Sequence, residues 1–224
     1  MNDALGRWAA IANVASVAAF AVSMLIPSNF GSFISSICIA LSFVPMVCAF
    51  AAAGRPEKKA AGSAATVFAG IYAAFILLVY FAQVTTVRRE ALSEQAMALL
   101  DYNTFGLFFN YDLLGYAMMA LSTFFAAMTI MPETKAERAL QWLLRIHGVF
   151  AVSCFVMPMF NVFTADMPNA YWIGTAVLEF WCAYFIPVGV LAALYFQRKT
   201  EPEVLYDVPG YNCQNQRACP RRAL

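Results

Sequence analysis

The sequence predicts an all-α, polytopic membrane protein built as a six-transmembrane-helix bundle. Hydrophobic residues make up 62% of the 224 positions and charged residues only 12%, whereas soluble domains carry about 25% charged residues. Six apolar stretches are each long enough to cross a bilayer core of about 30 Å, which takes about 20 helical residues. Little sequence remains between these stretches for a separate soluble domain.

The first apolar stretch, after Arg7, also resembles the start of a signal peptide. However, its apolar run is long and no small-residue cleavage site follows it, so we interpret it as a spanning helix.

The six apolar stretches follow one another with short connections. Residues 1–196 are therefore expected to form one transmembrane domain, and residues 197–224, with scattered Pro and Gly, a flexible cytoplasmic tail. The predicted spans are Trp8–Ile26, Phe30–Ala53, Ala60–Val87, Phe105–Met131, Leu140–Phe163 and Tyr171–Phe196.

The longest connection between spans, residues 88–104, has an amphipathic pattern. Its apolar residues recur at helical spacing on one face, at Leu92, Ala96, Leu99 and Leu100. This spacing predicts a short helix that lies on the outer membrane surface or over the bundle. The helix would serve either as a lid or simply as a connector.

The basic residues predict the orientation of the bundle. Twelve of the 14 Lys and Arg residues lie on the side that holds both termini, and only Arg88 and Arg89 lie on the other. Because cytoplasmic loops collect Lys and Arg, both termini are expected in the cytoplasm, in a multi-pass protein of the cytoplasmic (inner) membrane. A net charge of +1 gives no indication of nucleic acid as a partner.

Polar side chains inside the spans are the main functional signal, because an acid at a helix centre costs about 2.5–3.5 kcal/mol. Counting residues from the span ends places four of them in the outer half, each on a different span. These are Gln83, Asp112, Asn161 and Glu179. Tyr80 shares a helix face with Gln83, and Tyr116 follows Asp112 by one turn. We therefore expect these polar groups to converge in one outward-facing pocket.

Each acid also has a structural interpretation. Asp112 could form an ion pair with Arg88 or cap its helix, and Glu179 could be a neutral hydrogen-bonding group within the bundle. In its functional interpretation Glu179 carries a proton or pairs with a cation. The sequence leaves these alternatives open.

The sequence offers little for catalysis. Its single histidine, His147, excludes a two-histidine haem site and a zinc hydrolase motif, and the depth count places it near the inner surface as a packing residue. We predict no enzyme, no catalytic residue, no metal and no cofactor. Cys154 beside Glu179 is the only conceivable nucleophile and base pair.

Three strings resemble those of a group of uncharacterised bacterial six-helix integral membrane proteins. The strings are Tyr80-Phe81-x-Gln83-x-Thr85-x-Val87-Arg88, Tyr102-Asn103-x-x-Gly106 and Asp112-x-x-Gly115-Tyr116. The resemblance covers the third and fourth spans. It implies a six-helix fold in a bacterial cytoplasmic membrane, but no activity. It also groups Tyr80, Gln83, Arg88, Asn103 and Asp112 at the outer face.

The chain departs from that group at two points. The group usually has Glu at the position of Asp112, and it often has Pro-His where this chain has Thr104-Phe105. The missing histidine means that no imidazole-dependent role carries over to this chain.

These observations lead to two functional hypotheses. In the first, the protein binds or transports a small polar or cationic ligand, or protons, through an outward-facing pocket. In the second, it is a non-catalytic membrane scaffold, or a subunit that pairs with copies of itself or with other membrane proteins. The lipid bilayer is the partner in both.

Overall fold

The computed structural model describes residues 1–89, 92–164 and 167–200. Within these ranges the ordered elements are helices, as the sequence predicts. The predicted tail lies outside the described residues, apart from its first four, which continue the last helix to Thr200. The helices are α1 (Asn2–Leu25), α2 (Asn29–Ala53), α3 (Lys59–Ala82), α4 (Glu94–Leu100), α5 (Leu107–Thr129), α6 (Lys135–His147), α7 (Phe150–Met159) and α8 (Ala170–Thr200).

Six helical stretches in the described chain are long and apolar enough to cross a membrane. They are Asn2–Leu25, Asn29–Ala53, Pro56–Val87, Leu107–Thr129, Lys135–Met159 and Trp172–Thr200. Each predicted span corresponds to one of them. A π-helical turn, Gln83–Val87, continues α3, and the short helix α4 lies in the connection to α5.

The helices pack as a ring of neighbours around a buried core. α1 lies between α2 and α8, α3 lies between α2 and α5, and α5 contacts both α6 and α7. The ring closes where α6 meets α8. α7 packs mainly against α5, and the ring of Phe150 at its start contacts that of Tyr184 on α8 at 6.1 Å.

Polar side chains tie neighbouring helices together inside the bundle. The amide of Asn13 on α1 donates to the carbonyl of Ile39 (3.1 Å) and to the hydroxyl of Ser42 (3.0 Å) on α2. Ser122 on α5 donates to the carbonyl of Ala65 on α3 at 2.8 Å. Such interhelical bonds satisfy groups that lipid could not.

The end of the bundle that holds both described chain ends is tightly packed. Gly6 on α1 is essential to that packing, since a Cβ there would lie 2.7 Å from the Cβ of Ala49 and 2.9 Å from the ring of Phe196. We call this the terminal end, and we call the opposite end, with the α3–α5 and α7–α8 connections, the far end.

An ion pair joins α6 to α8 at the terminal end. Thr134 and Glu137 form a reciprocal capping box that starts α6, and it satisfies backbone donors that have no intrahelical partner. The buried Glu137 also accepts a hydrogen bond of 3.0 Å from Arg198 on α8.

The fifth predicted span is broken near its middle. α6 ends at His147 and α7 begins at Phe150, and the amides of Gly148 and Val149 instead bond to the carbonyls of Arg145 and Ile146. The span therefore consists of two helices with a tighter turn between them. The sequence interpretation treated it as one helix beginning at Leu140.

Candidate functional site

A cavity of about 680 Å³ opens in the far half of the bundle. Its lining comes from α1, α2, α3, α5, α6, α7, α8 and the 3₁₀ turn Tyr102–Thr104. The lining residues are mostly aromatic and aliphatic, with Asp112 as the acid among them. No Lys or Arg side chain contributes to the described lining.

Asp112 lies on the cavity wall, on the face of α5 that also carries Phe109 and Tyr116. Residues three and four apart share a helix face, so the spacing of these three side chains directs them together. Asp112 is only 2% exposed, and its Oδ1 has no hydrogen-bond partner in the described chain. A buried, unpartnered carboxylate oxygen requires an explanation, because such groups are nearly always paired.

Two tyrosines approach this carboxyl group from neighbouring elements. The side chains of Tyr80 on α3 and Tyr102 in the 3₁₀ turn line the cavity together with that of Asp112. Their rings lie 5.9 Å apart. The carboxyl group is thus surrounded by phenol groups without any positive charge.

Further aromatic rings complete the wall around the acid. The ring of Tyr102 packs edge-on against Phe109 at 5.3 Å, and that of Tyr80 packs against Phe33 at 5.4 Å. The hydroxyl of Tyr116 is buried and has no partner among the described residues. The cavity thus combines one acid with several aromatic side chains.

A chain of hydrogen bonds forms the inner boundary of the cavity. Trp181 Nε1 donates to His147 Nε2 at 3.1 Å, and His147 Nδ1 pairs with the hydroxyl of Thr123 at 2.9 Å. Because an indole N–H can only donate, Nε2 is the acceptor, so the imidazole is neutral and carries its proton on Nδ1. Thr123 in turn donates to the carbonyl of Ala120 at 2.9 Å.

The position of His147 corrects the depth that the sequence analysis assigned to it. His147 is the thirteenth residue of the 25-residue stretch Lys135–Met159, and it lies near mid-span instead of near the inner surface. Both ring nitrogens of His147 have hydrogen-bond partners within the bundle, which agrees with the packing role that the sequence analysis expected for it. The same side chain also lines the cavity.

Below this hydrogen-bonded chain the bundle core closes the cavity. The rings of Phe43, Tyr72 and Phe185 are fully buried toward the terminal end. The Tyr72 ring packs edge-on against Phe43 at 5.3 Å. The cavity is therefore a closed-ended pocket and not a continuous pore.

Gln83 is buried, and its side chain forms hydrogen bonds to the segment that connects α3 to α5. Its amide nitrogen donates to the carbonyl of Leu100 at 2.7 Å, and its amide oxygen accepts from the backbone N–H of Tyr102 at 3.1 Å. Gln83 does not line the cavity. Instead it fastens the connecting segment to the end of α3 and thereby places Tyr102 beside Asp112.

The expected ion pair between Arg88 and Asp112 is absent from the described structure. The Arg88 guanidinium lies 5.0 Å from the ring centroid of Phe30, on the exposed surface. Asp112 is not a helix cap either, because it is the sixth residue of α5 and Gly106 holds the cap position. Both structural interpretations of Asp112 are therefore wrong.

The expected convergence of four polar side chains does not occur. Asp112 lines the cavity, whereas Gln83, Asn161 and Glu179 do not. Asn161 is exposed in the turn that follows α7, with a positive φ of 49°. Of the other candidates, Tyr80, Tyr116 and Asn103 line the cavity, and Arg88 does not.

Glu179 lies on a flank of α8 next to the cavity-lining face. The residues of α8 that line the cavity include Thr175, Leu178 and Trp181. Glu179 follows Thr175 by one turn and therefore lies at the edge of that face, but its side chain does not line the cavity. It is half-buried, and its Oε1 has no hydrogen-bond partner in the described chain. Cys154 lines the cavity without Glu179, so the conceivable nucleophile and base pair is not assembled there.

The sequence analysis missed three residues that shape the cavity. Tyr102, Phe109 and Trp181 all line it. Phe109 could have been found from its spacing of three before Asp112, which places both on one face. Tyr102 begins one of the three resembling strings, but neither its position nor that of Trp181 follows from helix spacing, because both depend on how the connecting segment and α8 pack.

The fold and the cavity define a six-span helical bundle with an acidic, aromatic-lined pocket in its far half. No protein-family model, curated protein or solved structure matches this chain. Its function is therefore inferred from the cavity itself.

Proposed function

We propose that this protein resides in a bacterial cytoplasmic membrane and binds a small organic cation in the cavity around Asp112. The excess of Lys and Arg at the terminal end supports a cytoplasmic location for that end. The far end, with the cavity, then lies toward the outer side of the membrane. α4 and its connection lie on that side.

The single observation that carries this proposal is the environment of Asp112. Its carboxyl group is 2% exposed, has an oxygen without a partner, and faces a cavity without Lys or Arg in its described lining. An acid held in apolar surroundings is costly unless it is paired or neutral. A cationic ligand supplies the missing opposite charge.

The aromatic lining favours an organic cation over other ligands. Tyr and Trp faces attract an alkylammonium group by about 0.5–2 kcal/mol each, and they are the usual recognition surface for quaternary ammonium ions. An anion would meet no positive group. A divalent metal needs several oxygen ligands, and Asp112 is the one carboxylate in the described lining.

The closed inner boundary favours binding as the basic activity. His147, Trp181 and the core beneath them block passage toward the terminal end. Transport would require this boundary to open. Uptake of radiolabelled tetramethylammonium by proteoliposomes, with and without a pH gradient, tests that more specific version of the proposal.

Titration calorimetry of the purified protein with tetramethylammonium tests the proposal directly. We expect Asp112→Asn to weaken binding at least tenfold, because it removes the charge while keeping the size of the side chain. Glu179→Gln is the matched control, since it neutralises an acid on α8 that does not line the cavity and should leave the affinity unchanged. Equal affinities for Asp112→Asn and the native protein would refute a role for this cavity.

The scaffold hypothesis is supported by a different observation. α1 presents exposed small residues at Ala12, Ala15 and Ala19, and such faces permit close helix packing between membrane proteins. Under this hypothesis the native protein binds no cation, and Asp112→Asn changes only stability. The same calorimetric experiment therefore separates the two functions.

A further inference from the structure

The cavity lies between two helices, α7 and α8, which contact each other at the start of α7, where Phe150 packs edge-on against Tyr184 at 6.1 Å. α7 packs mainly against α5, whereas α8 packs against α1 and α6. Both nevertheless contribute to the lining, α7 through Ser153 and α8 through Val177. These two side chains are also exposed at the surface of the bundle. The cavity therefore reaches the flank of the bundle between α7 and α8.

Gly174 marks the same opening on α8. It lines the cavity, and a Cβ added there would meet no heavy atom within 4 Å. Among the ten glycines in the described part of the chain, Gly70 is the other one with such open space. Gly70 lies on the exposed side of α3, away from the cavity.

The surface beside this opening is apolar. On α7 it presents Val152, Val156 and Met159, which are 65%, 40% and 73% exposed. On α8 it presents Val177 and Phe180, which are 47% and 64% exposed. Both helices belong to stretches of membrane-spanning length. In a bilayer this flank would face acyl chains.

The size of the cavity indicates how much of a ligand it holds. At about 680 Å³ it falls within the range of about 300–1,000 Å³ that encloses drug-sized molecules. A single ammonium head group beside Asp112 would fill only part of this space. The remaining walls are largely apolar, with side chains such as Phe20, Met24 and Met157. They suit a hydrocarbon body.

We propose that the ligand is an amphiphilic organic cation, whose charged head pairs with Asp112 and whose apolar body enters the cavity from the bilayer between α7 and α8. This inference rests on the proposed cation-binding function and specifies its substrate class and its route of entry. The head group lies among the tyrosines. The apolar body lies along α7 and α8.

A series of alkyltrimethylammonium ions tests the substrate class. Tetramethyl-, butyltrimethyl- and hexyltrimethylammonium are titrated into the full-length protein in nonionic detergent. Asp112→Asn in the same detergent corrects for partitioning into micelles. We expect the dissociation constant to fall roughly threefold per added methylene, the order of magnitude for moving a CH₂ group out of water.

The outcomes of this series separate the inference from the function on which it rests. If all three ions bind with the same affinity, the amphiphilic substrate class is overturned while cation binding stands. If none binds more tightly to the native protein than to Asp112→Asn, both proposals fail.

Two variants test the lateral route, with decyltrimethylammonium as the probe and stopped-flow quenching of tryptophan fluorescence as the readout. Gly174→Phe and Val177→Phe each place a bulky side chain at the opening, and we expect association to slow about tenfold relative to the native protein. Gly70→Phe is the matched control, because its new side chain also enters open space but faces away from the cavity. Circular dichroism and gel filtration confirm that each variant is folded. Unchanged association rates in both folded opening variants would overturn entry between α7 and α8.

Discussion

The indole N–H of Trp181 donates a hydrogen bond of 3.1 Å to Nε2 of His147. This bond joins α8 to the last residue of α6, just before the span breaks. It also determines the tautomer of the imidazole, because Nδ1 must then carry the proton that is shared with Thr123. The inner boundary of the cavity is therefore a neutral, fully hydrogen-bonded chain.

The bond between Trp181 and His147 is expected to stabilise the bundle. A double-mutant cycle of Trp181→Phe and His147→Leu should give a coupling free energy of about 1 kcal/mol, the magnitude of hydrogen bonds between membrane helices. Unfolding in mixed micelles of dodecyl maltoside and SDS measures each free energy. Trp142→Phe is the control, since Trp142 is exposed and does not contact His147. Strictly additive effects of the two substitutions would show that the bond contributes nothing.

The side chain of Gln83 is expected to hold the connecting segment in place. Gln83→Leu removes both bonds, to the carbonyl of Leu100 and to the N–H of Tyr102. The Tyr102 amide should then exchange its hydrogen at least tenfold faster, as measured by mass spectrometry in deuterated buffer, because local opening becomes easier. Gln141→Leu is the matched control, since Gln141 bonds to the carbonyls of Ala127 and Ile130 at the other end of α5. Equal acceleration in both variants would indicate general loosening.

The ion pair between Arg198 and Glu137 is expected to stabilise the terminal end. Arg198→Gln leaves a carboxylate whose side chain is only 6% exposed without its cation. Because Arg198 itself is 47% exposed, solvent screens the pair, and we expect a loss of about 1 kcal/mol. The thermal unfolding midpoint in detergent, at low and at high salt, reports this loss, which should shrink at high salt. Arg138→Gln, an exposed cation on α6, should have no such effect.

The polar contact between α1 and α2 is expected to matter for their association. Asn13→Ala removes two hydrogen bonds at a fully buried position and should cost about 1–2 kcal/mol. Ser16→Ala removes only a local bond to the carbonyl of Ala12 and serves as the control. Free energies from SDS titration that are equal for the two variants would contradict this assignment.

The six helical stretches of membrane-spanning length could be predicted from the sequence, because the length and hydropathy of each apolar run are visible there. The start of α6 could also have been predicted. Thr134 and Glu137 have the spacing of a capping box, and this signal places the helix start at Lys135 instead of Leu140. Counting residues from Lys135 instead of Leu140 would have placed His147 near the middle of the span.

The candidate site could be predicted only in part, because depth and direction are separate quantities. Counting residues gives the height of a side chain in the membrane, but the rotation of each helix decides where that side chain points. Asp112 lines the cavity with Phe109 and Tyr116, whereas Glu179, which lies at the edge of the α8 face that carries Thr175, does not. Asn161 lies in a turn outside the helices because α7 ends at Met159, four residues before the predicted end of the span at Phe163.

The break after His147 gives the two parts of the fifth span different mechanical freedom. α6 is fastened to α8 by the Arg198 ion pair and by the Tyr184 hydroxyl, which donates to the carbonyl of Leu143 at 2.6 Å. The described residues of α7 make no side-chain hydrogen bond to α8. α6 and α8 are therefore held together by side-chain bonds. The turn at Gly148 and Val149 is the point at which α7 can change its angle relative to α6. An outward movement of α7 would break its packing against α5 and the ring contact of Phe150 with Tyr184, but it would break no side-chain hydrogen bond to α8.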